Sequence, residues 1–362
     1  MTFVAGATHA GGFLAVTAQE RSAASVRKQT DLRRQTNQTA GKLANHARCI
    51  GQVMERLEYD RYGSAELVHL ASFTLPEPQA DEVLVRVAFA SINPLDWKIR
   101  SGDMKLFTGS KFPRSMGTDF AGTVEAVGAK VSDLKPGDAV MGTTSMKSSG
   151  AFAPQLITKR ALVVKKPDKL SFAEAASLPV AGVTAWLVLV KNAGLIRGQK
   201  LFINGATGAV GRAAIAIARE IGAEVTGRVG PRFINQAKSL GLHVALDYTK
   251  SLPTTLDGSF DVVFDANGSL SPQQGDRLIK RGGKVIDIVP TKYKFFRALV
   301  SRSRKFVMAN LKAQNLQQVV DLAAARKLAI PIAITIALDD APALLSSLEQ
   351  GKRLNGKVVI AF

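Results

Sequence analysis

Three glycines raise the first chemical question. Gly205, Gly208 and Gly211 recur at every third position inside Lys200–Arg228, KLFINGATGAVGRAAIAIAREIGAEVTGR. A short apolar run, Leu201–Ile203, leads into them. An alanine-rich segment with helical spacing, Ala213–Ile221, follows, and Glu224–Gly227 reads as a second short strand. Glycines let a backbone come close to a ligand, and the first-turn N–H groups of a helix point at negative charge. Strand, glycine turn and helix in that order suit a dinucleotide pyrophosphate. Gly205, Ala206, Thr207, Gly208, Ala209, Val210 and Gly211 are the expected phosphate-binding run. The spacing departs from G-x-G-x-x-G, so its weight comes from the flanking strand and helix.

Other chemistries lack their residues. Cys49 is the only cysteine, which excludes an intramolecular disulfide framework and a cysteine-rich metal site. His9, His46, His69 and His243 show no ligand spacing. No Ser/His/Asp hydrolase set is visible, and no tyrosine begins a Tyr-x-x-x-Lys.

The elements around the glycines form two patterns. With 362 residues, 46% of them hydrophobic, the chain is globular and long enough for two domains. Its longest apolar stretch, Leu178–Val190, falls short of the ~18–20 residues of a membrane span and reads as a buried helix. From Met54, Leu67–Phe73 and Glu82–Phe89 alternate as strands do, and Asn93–Arg100 opens a loop or short helix. Short strands split by Gly128, Pro136-Gly137 and Gly142 follow, which suggests a small β-barrel. Ser171 and Glu174 stand at capping-box spacing and mark a helix start, and Thr184–Asn192 reads as a helix stopped at Gly194. Beyond the glycines, helix and strand alternate: Pro231–Leu240, His243–Asp247, Phe260–Asp265, Pro272–Ile279, Gly283–Ile288. That is the signature of a doubly wound parallel sheet. Helices at Asn315–Ala325 and Ala341–Gln350 and strands at Ala333–Ile336 and Lys357–Phe362 close the chain. Residues 1–53 lack period and are poor in acids. They read as a disordered extension, or as the product of a start placed upstream of Met54, with a composition like that of a mitochondrial presequence.

Net charge is +19. Residues 1–53 carry seven Lys/Arg against Glu20 and Asp31, and 291–312 carries another seven with no acid, so these stretches hold +5 and +7 of it. The rest is mildly basic, which argues against a whole-surface nucleic-acid platform. Read as a helix, 291–312 mixes an apolar stripe with a basic face. It packs on the dinucleotide domain with a solvated rim, or it makes a weak, salt-sensitive contact with anionic lipid or with RNA. No specific nucleic-acid partner is expected.

The motifs are specific in combination: Asn93-Pro94-Leu95-Asp96 with Arg100-x-Gly102, Gly117-Thr118-Asp119-Phe120-Ala121-Gly122 with Val124 and Gly128, Pro136-Gly137-Asp138, Leu178-Pro179 with Thr184-Ala185, the glycine turn, and Gly356-Lys357-Val358-Val359. With them the chain resembles the medium-chain dehydrogenase/reductase superfamily, in its zinc-free quinone oxidoreductase and alkenal/enone reductase branch, over Met54–Phe362. The resemblance implies an α/β fold. A GroES-like barrel would occupy 54–178 and a Rossmann domain 179–317, with 318–362 returning to the barrel and the active site in the cleft between. The single cysteine fits a reducing compartment, so the expected location is cytoplasmic, peripheral to a membrane if the acceptor is a membrane quinone, and the resemblance implies a family that often dimerises.

In versions of this fold that bind NAD, an acid ends the second strand. Here GRVGPR stands there, and Arg228 and Arg232 suit a 2′-phosphate, which favours NADPH. Tyr248 matches a family tyrosine beside the adenosine phosphate, and Thr184 a family threonine near the nicotinamide. Asp265, Asn267 and Gly268, with Ile288, Val289 and Pro290, end two later strands whose loops should face the nicotinamide. Asn355 and Lys357 are expected to close over the cofactor from the barrel side. Zinc-dependent relatives have Cys where Asn93 stands and His where Thr118 stands, so no metal is expected. Without a Lewis acid, acceptors that polarise themselves remain: quinones and α,β-unsaturated carbonyls. Asn93, which also faces the cofactor, and Lys98 are the expected donors to the developing oxyanion, with Asp96 organising them. The competing reading is an NADPH-binding protein with little catalysis that uses its basic stretch on RNA or a membrane.

Overall fold

The apolar run EVLVRVAFAS builds the longest strand among the described residues, buried on both faces along Val83–Val85. The structure, a computed structural model, describes residues 52–289, 294, 301–308 and 310–362. The expected extension at 1–53 lies almost wholly outside the described residues. The first half contributes β1 (Met54–Tyr59), β2 (His69–Phe73), β3 (Glu82–Ser91), β4 (Arg114–Ser115), β5 (Asp119–Val127), β6 (Ala139–Thr143), β7 (Gln155–Lys159) and β8 (Val163–Lys165). Helix α1 (Pro94–Ser101) follows β3 directly. Helix α2 (Phe172–Ser177) packs on β3 and β5, and α3 (Pro179–Trp186) follows it. Ser171 and Glu174 form the expected capping box at the start of α2. Helix α3 continues through a wider turn, Leu187–Ala193, and stops at Gly194 in the left-handed conformation.

The second half contains β9 (Lys200–Asn204), α4 (Ala209–Ile221), β10 (Glu224–Val229), β11 (Val244–Asp247), β12 (Phe260–Asp265), α5 (Pro272–Leu278), β13 (Ile279–Asp287) and β14 (Arg304–Phe306). All six strands are parallel, in the order β11-β10-β9-β12-β13-β14. The chain's direction of winding reverses between β9 and β12, and ligands bind such sheets in the crevice at that point. The last segment is α6 (Ala313–Ala324), β15 (Ile332–Ile336), α7 (Ala341–Glu349) and β16 (Lys357–Ala361). β16 pairs with β3, so the barrel sheet reads β15-β16-β3-β5-β6-β8, with β7 also on β3. The expected return of the chain to the barrel is present.

Two expectations need correction. A boundary at 317/318 would cut through α6. Leu316, Val319, Val320 and Ala323 lie on one face of that helix and are buried in the Rossmann core, so this domain extends past α6. The close fit is to α3, where Gly182 leaves room for Val319. The reading of 291–312 as one helix also fails where the residues are described. Arg304–Phe306 is a strand, parallel to β13, and the side chains of Lys294 and Arg304 are buried. The reason is electrostatic: Asp265 and Asp287, at the ends of β12 and β13, are buried and draw these cations inward. Arg302, Lys305 and Lys312 are exposed, while Lys292 and Arg297 lie outside the described residues. No helix among the described residues is long and apolar enough to cross a membrane.

The α3–α6 contact can be tested. A Cβ at position 182 would overlap Val319. Gly182→Ala should therefore cost about 1–3 kcal/mol in urea unfolding despite the better helix propensity of alanine. Adding Val319→Ala should recover part of that loss, and two additive losses would refute the contact.

Candidate active site

Asn93 links the barrel to α1. It follows β3 in an extended conformation and serves as the helix N-cap, and Pro94 behind it has no N–H to leave unpaired. The Asp96 carboxylate reaches back to accept from the Asn93 backbone N–H at 2.7 Å and from the Thr118 hydroxyl at 2.6 Å. The Asn93 amide donates to Ser91 O at 3.2 Å and to Asp119 Oδ2 at 3.0 Å, and its oxygen accepts from Lys357 Nζ at 2.5 Å. Lys357 also donates to Ile92 O at 3.1 Å and stands 3.8 Å from Asp119 Oδ2. Asp119 in turn accepts from the backbone N–H of Val180, at 3.1 and 3.2 Å, in the first turn of α3. One buried cluster thus joins β3, α1, β5, α3 and β16.

This changes the expected roles of two residues. Both hydrogens of the Asn93 amide are engaged within the protein, so the side chain positions its neighbours and has no hydrogen left for an oxyanion. The Lys357 ammonium turns inward to the carboxylates rather than out over a cofactor. Lys98, on α1, is half-buried and makes no hydrogen bond or ion pair among the described residues. Burial lowers its pKa, and Asp103 partly opposes this. Among the described residues it is a donor without a partner in the last turn of α1.

Burial also governs the cluster's charges. It raises the carboxyl of Asp96 to about 7, against hydrogen bonds from Thr118 and Asn93. It raises Asp119 to about 6, against Lys357 and the Asn93 amide. Lys357 is lowered, chiefly by desolvation, with the two aspartates opposing.

The phosphate run lies between β9 and α4. Gly205 has φ +88°, which favours glycine, and a Cβ on it would meet the Asn267 side chain at 3.1 Å. A Cβ on Gly211 would overlap Gly205 O, so that glycine is needed for the loop to pack on the helix. At Gly208 a Cβ would meet only Gly205 O, at 3.5 Å. Gly208 is the N-cap of α4 and no side chain caps the first turn, so the helix start is open to an anion. Ala206 is held by its N–H to Arg228 O at 3.1 Å, and Thr207 O accepts from Arg212 Nε at 3.0 Å. Arg212 also reaches Asn355 Oδ1 at 2.6 Å, which joins the glycine helix to the segment before β16.

At the end of β10, Arg228 spends part of its guanidinium on Tyr248 O at 2.7 Å and Lys250 O at 3.1 Å. Its Nε is buried without a partner. Arg232 is exposed and stacks on Phe233, 4.8 Å from the ring centre. The Tyr248 ring is 58% exposed and lies over Gly230. Arg228 and Tyr248 thus meet beyond the second strand, with Arg232 in the turn that follows.

On the other side of the reversal point, Asp265 organises its own loop. It accepts from Asn204 Nδ2 at 2.8 Å and from the N–H groups of Gly268 and Leu270, at 2.9 and 3.1 Å. Lys294 Nζ bonds it at 2.5 Å, lies 3.0 Å from Asp287 and donates to Gly268 O. Asp265 is therefore buried scaffolding for the loop and does not face a ligand. Asn267 is exposed, with its oxygen accepting from Asn204 and Ser269. Val289 packs against Gly268, next to Ile288, and both are half-buried. Pro290 lies outside the described residues. Thr184 is buried and donates its hydroxyl to Val180 O at 2.6 Å, which leaves it only lone pairs to offer. Asp119, Arg212, Lys294 and Arg304 were missed as site supports. Asp119 lay inside a quoted motif, and both Lys294 and Arg304 lay inside a stretch read only for its surface charge.

The cluster makes a pH prediction. Asp96 and Asp119 titrate higher when folded than the ~3.9 of an unfolded aspartate, so the folded state binds more protons between those values. Their contribution to stability therefore falls as pH rises from about 4 through about 7. The carboxyls with lowered pKa, such as Asp81, Asp133, Asp247 and Asp261, are ionised throughout pH 5–7 and add no slope there. Tm should fall between pH 5 and 7, and Asp96→Asn should flatten the fall. A parent slope matching that of the variant would contradict this.

Comparison with known proteins agrees with the geometry. Residues 79–168 match the alcohol dehydrogenase GroES-like domain, and 240–360 match the zinc-binding dehydrogenase family. The chain is 34% identical over 289 residues to the chloroplast envelope quinone oxidoreductase homolog of Arabidopsis thaliana, covering 75% of this chain and 88% of that one. It is 36% identical over 246 residues to an NADPH-dependent alkenal/one oxidoreductase, chloroplastic, of the same plant, covering 66% of this chain and 63% of that one. A quinone oxidoreductase structure from Coxiella burnetii superposes with TM-score 0.78 at 28% identity, covering 86% of this chain and 100% of that one. With a barrel, a parallel sheet in this order and relatives of this similarity, the chain belongs to the medium-chain dehydrogenase/reductase superfamily, in its quinone oxidoreductase branch, and is an oxidoreductase.

Proposed function

We propose that the protein is a zinc-independent, NADPH-dependent reductase of quinones or α,β-unsaturated carbonyls. The observation that carries this is the open, uncapped start of α4 beside Gly208, with Arg232 and Tyr248 exposed beyond the second strand. The first suits a pyrophosphate and the second a 2′-phosphate. No acid stands at 227–232 to accept from a ribose 2′-hydroxyl. The relative named for alkenals and enones is also named NADPH-dependent.

A zinc ion, which one matched family's name implies, does not fit the Asn93–Thr118 locus. Asn93 turns its amide hydrogens to Ser91 and Asp119, and Thr118 donates to Asp96. The Lys357 ammonium already sits against the Asn93 oxygen. A second cation there would face the Lys357 ammonium, with the neighbouring carboxylates already engaged by Asn93, Thr118 and Lys357, so the locus does not suit a metal ion.

A bound nicotinamide dinucleotide supplies a hydride. The protein holds its phosphates at the first turn of α4 and offers Asn267, Val289 and Thr184 as the wall of the crevice. Lys98 donates a hydrogen bond to the acceptor oxygen as charge develops there, and its lowered pKa suits it to give up a proton. The Asn93–Asp96–Thr118 cluster fixes the helix that carries it.

The test is NADPH and NADH consumption with a water-soluble quinone, an alkenal, a cyclic enone and a plain alcohol with NADP. Turnover of the first three but not the alcohol is expected. Binding of NADPH with no turnover of any acceptor would sink the reductase reading. Arg232→Ala should raise the KM for NADPH about tenfold while leaving that for NADH unchanged, by loss of one charge-assisted contact. An unchanged preference would remove Arg232 from the phosphate site. Lys98→Met should lower kcat about 100-fold with NADPH affinity intact. A full-rate variant would assign the proton to solvent.

A further inference from the structure

The turn after α1 exposes what a soluble surface normally hides. Gly102 ends the helix in the left-handed conformation, and Lys105–Thr108 makes a single turn beyond it. Leu106 in that turn is 90% exposed and Phe107 49%. Among the described residues these are the only consecutive pair of large exposed hydrophobics. Exposed lysines flank them, Lys105 and Lys111 on the same loop and Lys147 on the neighbouring turn. Arg61 is exposed close by, and Asp60 and Asp103 are the nearby exposed acids, so cations predominate.

The base of this tip is firmly built. Arg114 is buried and donates to Thr108 O at 2.8 Å, to Met146 O at 3.2 Å and to Lys147 O at 3.0 Å, which joins the two lysine-bearing turns. The Tyr62 hydroxyl bonds Thr108 Oγ1 at 2.9 Å and also donates to Gly109 O. Phe112 packs edge-on against Tyr59 and Tyr62, with ring centres 6.0 and 5.0 Å away. A tip held this way cannot fold Leu106 and Phe107 back into the core.

We propose that this tip docks the protein on an anionic lipid surface. Leu106 and Phe107 enter the boundary between headgroups and acyl chains, and Lys105, Lys111 and Lys147 lie on the headgroups with their stems along the apolar pair. The charge match favours lipid. A protein-binding hot spot would present Trp, Tyr or Arg at its centre, where this tip has two aliphatic or aromatic hydrocarbons ringed by lysine. The use of such docking rests on the reductase reading. Lys98 lies on the helix that ends at this tip, and quinones with apolar tails reside in bilayers, so docking would bring the acceptor to the cleft.

Vesicle sedimentation of the full chain, without cofactor or acceptor, tests the surface separately from catalysis. Binding to phosphatidylcholine vesicles containing phosphatidylglycerol is expected at low salt, with loss at high salt and little binding to phosphatidylcholine alone. The Leu106→Asp/Phe107→Asp variant should need about tenfold more lipid for half-binding while reducing a water-soluble quinone at the parent rate. Lys105→Glu/Lys111→Glu keeps the apolar pair and should weaken binding similarly. A parent that ignores anionic vesicles overturns the proposal, as do variants that bind like the parent, which would assign binding to 291–312 or residues 1–53. Loss of soluble-quinone turnover in the Leu106/Phe107 variant would overturn it too, by making the pair part of the substrate site. Absence of turnover in the parent would count against the reductase reading and leave the sedimentation result to decide the docking.

Discussion

The carboxylate of Asp119 holds the two halves of the protein in register. From β5 it accepts the backbone N–H of Val180 at the start of α3, the amide of Asn93 before α1, and the charge of Lys357 on β16. A buried carboxylate with several donors is stable only while all of them stay in place. The angle between barrel and parallel sheet, the pitch of the helix bearing Lys98 and the closing strand of the barrel are therefore set by one small group of atoms. A loss at any corner leaves an unpaired buried charge, so the arrangement tolerates little slack.

A second buried network does similar work at the ends of β12 and β13. Asp265 and Asp287 end adjacent strands, and Lys294 and Arg304 neutralise them from within. Arg304 reaches on to Asp276 and Pro272 O, which attaches α5 to the sheet edge. The loop at 265–270 is thereby shaped before any ligand arrives. Preorganised walls of this kind spare a ligand the entropy of ordering them.

Much of this was legible in the chain. The strand–glycine–helix order, the Ser171–Glu174 capping box and the return of Lys357–Phe362 are local patterns, and they survive into the fold. The glycine turn was legible, because glycine spacing reflects backbone geometry. The surroundings of Asn93 were harder. That Asn93 spends both amide hydrogens internally depends on Asp119, twenty-six positions away, and on Ser91. Lys294 and Arg304 looked like surface charge, since nothing in TKYKFFRALVSRSRKFVMANLK says that two aspartates wait beneath. The domain boundary was misplaced for the same reason: the partner of Val319 is Gly182, and no local period reveals a cross-chain fit.

The contact between Lys357 and Asn93 spans 264 positions of sequence. A contact of such separation has to offset the entropy of closing the long loop between its partners. The cation that balances the cluster is supplied by the chain itself, on the final strand of the barrel sheet. Until β16 docks on β3, Asp119 lacks its ammonium counter-charge and the Asn93 oxygen lacks its donor. The electrostatic balance of the site thus depends on the strand pairing of the barrel: without β16 on β3 the carboxylate pair lacks its cation.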